Sequence, residues 1–143
     1  MMSWVDAAEK FGCTLAIACP EEFGPDQGML ADIRRAGSAG SLGTDPHEAV
    51  ADADLVITDT WVSMGDTDPG ERRRVLKPYR VDTTLMGRAS RDALFMHCLP
   101  AHRGDEVTDD VIDGPQSVVF DEAENRLHAQ KAILAWVFGI ETV

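Results

Sequence analysis

Leu55-Val56-Ile57-Thr58-Asp59 is apolar and largely β-branched until its last residue, which is a carboxylate. Nothing strongly polar alternates within the run, so it reads as a parallel strand covered on both faces, not a half-exposed antiparallel one. Leu94-Phe95-Met96 is a second such run, and it delivers His97 and Cys98 much as the first delivers Asp59. Thr14 to Cys19, closed by Pro20, reads as a third strand, and Ser41 to Thr44 as a weak fourth; Val118-Val119-Phe120 is a last apolar run. Helical patterns lie between them. Ser3 can cap a helix with Trp4, Ala8 and Phe11 on its apolar face and Gly12 at its end. Pro25 can open a helix to about Ala36, and Asp45 can cap one from Pro46 to Ala51. Glu71 to Leu76 and Val81 to Ala89 also read as helical. Asp121, with Glu124 three residues on, spells a capping box for a long C-terminal helix over about 122–138. Strand and helix in alternation predict an α/β fold: a doubly wound (Rossmann-like) parallel sheet with flanking helices. Such a sheet usually opens on a central strand, whereas this chain opens on a helix, so its first strand is expected to be lacking.

At 143 residues the chain has the size of one domain. Acidic residues outnumber basic ones 25 to 13, for a formal net charge of −12. That surface repels phosphate backbones and anionic headgroups, which argues against nucleic acid and membrane as partners. The N-terminus lacks the basic-then-apolar pattern of a secretory signal, and no stretch approaches the ~20 apolar residues that span a bilayer. Cys13, Cys19 and Cys98 are an odd count without regular spacing, which suits reduced thiols and a cytoplasmic location.

In open α/β sheets ligands sit beyond the carboxyl ends of the strands. Two polar clusters fall there: Asp59-Thr60-Trp61-Val62-Ser63-Met64-Gly65 and His97-Cys98-Leu99-Pro100-Ala101-His102-Arg103-Gly104. A strand-end carboxylate followed by a glycine-ended loop with a hydroxyl suits the ammonium group of a compact zwitterion. The other cluster brings a thiol to the same rim. Either alone reads as cap and turn chemistry; together at neighbouring strand ends they read as a site.

These motifs, DTWVSMG at 59–65, HCLPAHRG at 97–104 and FDEAENR at 120–126, occur in the order and at the intervals found in ornithine carbamoyltransferases, which the chain resembles from Ser3 to about Gly139. The resemblance is to the second, ornithine-binding domain with its C-terminal helix, spread over residues 1–143. It implies transfer of a carbamoyl group from carbamoyl phosphate to ornithine, giving citrulline and phosphate, with no cofactor and no metal. It also implies roles. Asp59 binds the α-ammonium group, and Ser63 and the backbone at Met64 hold the amino-acid end. Cys98 lies near the reacting amine, while the Leu99 carbonyl and Arg126 contact the carbamoyl group. The catalytic set would be Cys98, Arg126 and Asp59, with a cis bond before Pro100. Cys98 could act as a thiolate or as a neutral thiol that shapes the pocket; the sequence leaves both open.

The family's phosphate loop and its histidine-proline-x-glutamine element do not occur in these residues, so the carbamoyl-phosphate domain is expected to be absent and carbamoyl phosphate a partner only with a second domain. The chain is then a truncated carbamoyltransferase, inactive alone. The alternatives are a non-catalytic amino-acid-binding module and a degenerate fold. The run Ala132 to Phe138 is apolar on nearly every face, and together with the sheet edge it predicts a homo-oligomer. A zinc reading of His97, Cys98 and His102 fails for want of a second ligand pair. Gly37, Gly40 and Gly43 precede a strand instead of following one into a helix, so they are not a dinucleotide fingerprint. The run Arg72-Arg73-Arg74 reads as a solvated helix face.

Overall fold

A computed structural model of the chain describes residues 2–26, 28, 30, 41–63 and 68–140. Its parallel strands and flanking helices are those of the expected α/β class. Helix α1 (Met2–Phe11) leads into strand β1 (Ala16–Ala18), which pairs in parallel with β2 (Ser41–Gly43). Helix α2 (Pro46–Ala49) follows, its first turn held by the Asp45 carboxylate, which accepts from the His47 N–H at 2.8 Å. Strand β3 (Leu55–Thr58) pairs in parallel with β4 (Leu94–His97), Val56 opposite Phe95 and Thr58 opposite His97. Between them run helices α3 (Pro69–Leu76) and α4 (Thr83–Met86); α5 (Asp109–Ile112) and the 19-residue α6 (Val119–Val137) close the chain.

The four strands form two separate two-stranded sheets, β1–β2 and β3–β4, with no ladder between them among the described residues. The expected parallel sheet is thus present as two parallel pairs. The second pair carries the core. Phe95 is fully buried beside Val56, under Val50, Leu85, Met86, Val107, Ile112 and Val119. On the far side of β4, the Phe95 N–H donates to the Gln116 carbonyl and the Phe95 carbonyl accepts from the Val118 N–H.

Several element boundaries differ from expectation, each for a local reason. Helix α1 begins at Met2, so Ser3 lies inside it and does not cap it; Gly12 does end it, at φ 68°. Strand β1 is shorter than Thr14 to Cys19. The expected helix from Pro25 to Ala36 falls largely outside the described residues. Val81 is not helical: its N–H and C=O pair with Glu106 and Thr108, and Asp82 caps the short α4 through the Leu85 N–H. The expected capping box is displaced, because the Val118 carbonyl already accepts from the Glu122 N–H. Helix α6 therefore starts at Val119, and Asp121 and Glu122 sit in its first turn, where they still complement the helix dipole.

Candidate functional site

Register builds the site. Because Thr58 lies opposite His97, the residues that follow the two strands emerge side by side, and the Cys98 thiol donates to Asp59 Oδ1 at 3.2 Å. The Thr60 N–H donates to the same oxygen at 2.7 Å, and the Thr60 hydroxyl donates to the Pro100 carbonyl at 2.9 Å. The two turns are thus linked twice. Among the described residues no donor is bonded to Asp59 Oδ2, which leaves one carboxylate oxygen for a cationic group. Trp61, within the first turn, is buried, and its carbonyl accepts from Arg72 Nε.

The Leu99-Pro100 bond is cis, as expected, and Leu99 stands at φ 49°. That backbone region is unfavourable for a bulky side chain and persists only where neighbours hold it. One holding contact is direct: the Leu99 N–H donates to His97 Nδ1 at 2.9 Å. Alternation at the end of β4 sends His97 inward, fully buried, and leaves Cys98 exposed on the rim.

The Cys98 thiol is pushed up to about 11, first because its sulfur is partly desolvated, then by the hydrogen bond and charge of Asp59, with the charge of Glu122 adding to both. Although Cys98 is exposed as a residue, partial burial of its sulfur is the largest of these causes. That upward shift favours the neutral thiol near pH 7 in the unliganded chain.

Of the expected site residues, the structure joins Asp59 and Cys98 directly, with Leu99 next to them in the turn. Ser63 is exposed, and Met64 lies outside the described residues. Arg126 is exposed on α6, one helical turn beyond Glu122. Sequence reasoning gave no role to Glu122, Thr60, His97 or Glu106. For His97 the signal was available: period-two alternation from buried Phe95 turns it inward. The arginines of α3 are not merely solvated: Arg72 lies over the Phe23 ring at 4.5 Å, Arg73 pairs with Asp105 at 2.8 Å and Arg74 with Glu71. Among the described residues no helix is long and apolar enough to cross a membrane.

Residues 1–137 match the family described as aspartate/ornithine carbamoyltransferase, Asp/Orn binding domain. An ornithine carbamoyltransferase of Rhodopseudomonas palustris (strain BisA53) is 66% identical over 139 residues, which is 97% of this chain and 45% of that protein. The solved ornithine carbamoyltransferase from Pyrococcus furiosus is similar at a TM-score of 0.86 and 48% identity, covering 98% of this chain and 46% of that one. The anabolic enzyme from Campylobacter jejuni is similar at a TM-score of 0.87 and 35% identity, over 96% of this chain and 47% of its own. The chain spans a little under half the length of these relatives.

Proposed function

This chain belongs to the aspartate/ornithine carbamoyltransferase family through its Asp/Orn-binding domain, and we propose that it supplies the amino-acid half of an ornithine carbamoyltransferase site. In this reading Asp59 holds the α-ammonium group of ornithine, with Ser63 and the Met64 backbone on its amino-acid end. Cys98 lies beside the side-chain amine, and Leu99 and Arg126 face the carbamoyl group. The amine attacks the carbamoyl carbon in its neutral form, an oxyanion develops, and phosphate leaves, so a fixed cation such as Arg126 is the donor the step requires. A neutral Cys98 suits a pocket wall that hydrogen-bonds the amine without becoming its nucleophilic rival.

The observation that supports this reading most is the 3.2 Å contact between Cys98 and Asp59, residues that follow two different strands. Carbamoyl phosphate would be bound by a second domain, so residues 1–143 by themselves supply half a site. Calorimetry on the pure chain should detect ornithine, and citrulline formation should require addition of a carbamoyl-phosphate domain. Ordinary turnover without a second polypeptide defeats the half-site reading, and failure of ornithine to bind favours a degenerate module. Two accessory proposals go with it. Three unpaired thiols suit the cytoplasm, and the exposed apolar residues of α6 suit self-association.

A further inference from the structure

Two titratable side chains outside the substrate-facing set are fully buried: His97 and Glu106, each 0% exposed. Burying such groups is unfavourable unless their hydrogen bonds are met, and well-packed apolar residues in their place are often no worse for stability. Their connections show what they hold. His97 Nδ1 accepts from the Leu99 N–H at 2.9 Å, so it carries a lone pair and the ring proton sits on Nε2. That Nε2 lies 3.3 Å from Glu106 Oε1, close but not aligned as a hydrogen bond. The same Oε1 accepts from the His102 N–H at 2.6 Å, with His102 Nδ1 at 3.4 Å. One buried oxygen therefore faces both ends of the segment 97–102, which contains the left-handed Leu99. Glu106 is itself anchored, since its carbonyl accepts from the Val81 N–H at 2.9 Å.

We infer that Glu106 is a positioning residue: by closing the segment 97–102 from beneath and favouring the Nε2–H form of His97, it holds the turn in the shape that presents the Cys98 thiol to Asp59. The inference rests on the reading of that turn as part of the substrate site only for its relevance to ornithine; the geometry stands without it.

Nitrogen-15 spectra of the unliganded chain should show His97 protonated on Nε2 with Nδ1 bare, and a ring protonated on Nδ1 overturns the inference. The second readout is alkylation of Cys98 by iodoacetamide near pH 7, in a chain carrying Cys13→Ser and Cys19→Ser. Loosening the turn separates the thiol from Asp59 and lets its pKa fall from about 11 toward the ordinary value of 9.0. Partial loss of nucleophilicity tempers the gain in thiolate, so Glu106→Ala should react about tenfold faster. Glu106→Gln retains the Oε1 acceptor and should stay within about twofold of the parent. Equal rates in all three chains, or an equal rise in both variants, overturns the positioning role. If Glu106→Ala does not fold, the His97 pair decides. His97→Asn places an amide oxygen near the Nδ1 position and should keep the slow rate, whereas His97→Gln should not; no difference between them counts against the inference. Failure of ornithine to bind in calorimetry strikes the functional reading alone and leaves these results to judge Glu106.

Discussion

Asp59 acts on Cys98 at the level of a single proton. Its carboxylate accepts the thiol hydrogen and opposes a second negative charge beside it, so the thiol is held neutral well past pH 7. Asp59→Asn removes the opposing charge, and the pH profile of Cys98 alkylation is expected to move down from about 11 toward 9.0. The same variant loses a charge-assisted bond to the ligand's ammonium group, of about 1.5–3 kcal/mol, so calorimetry should find ornithine bound roughly 10- to 100-fold more weakly. Stability follows the same sign. A thiol whose folded pKa exceeds its unfolded value contributes fully below about pH 9, and that contribution is lost as pH rises through about 11. Cys19 and Tyr79 are also shifted upward, chiefly by burial, and act in the same direction. Denaturant midpoints should therefore fall above pH 9, and Cys98→Ser should flatten part of that fall. Asp59 and Cys98 were legible because each follows an uninterrupted apolar strand, where a parallel sheet must present it. Glu106 follows no periodic element, and only a folded chain brings it beneath a turn that begins nine residues earlier.

Between elements the molecule is uneven. Strands β3 and β4 were readable to within a residue, because three successive apolar side chains in each leave few alternatives, although Leu55 and Leu94 at their starts are exposed and not covered on both faces as expected. Helix boundaries were harder to read, since a backbone pairing can displace a good side-chain cap: the Val118 N–H bonded to Phe95 sets where α6 starts. Core residues gather around β3–β4, while the residues of β1 and β2 are exposed or half-buried. Opening free energy follows buried apolar contact, so amide exchange at Ala16–Ala18 and Ser41–Gly43 should be faster than at Phe95 and Met96. Uniform protection across both pairs would show that the two sheets open as one unit. Phe95→Ala, at a fully buried site with little freedom to collapse, is expected to cost about 3–5 kcal/mol in denaturant unfolding. A loss below about 1 kcal/mol would mean that the site repacks.

At the scale of the whole molecule, apolar attraction and acidic repulsion compete. Trp136 and Phe138 are 82% and 71% exposed at the end of α6, with Ile133, Leu134 and Val137 open to solvent beside them. A run apolar on nearly every face was legible as needing cover on two sides, and the folded chain offers it little. Burial of the two aromatic rings against a second copy removes on the order of 150–250 Å² each, at about 25 cal/mol per Å², before the cost of association. The net charge of −12 opposes that contact, and salt weakens the opposition, because the screening length shrinks to about 8 Å at physiological ionic strength. The mass seen by light scattering should therefore rise above 15.6 kDa with protein concentration, and rise further with added salt. Trp136→Glu combined with Phe138→Glu should return it to the single-chain value while leaving the β3–β4 core folded. A mass that stays at one chain at every concentration and salt level would instead mean that charge repulsion outweighs the apolar face of α6, and that a second copy is not its cover.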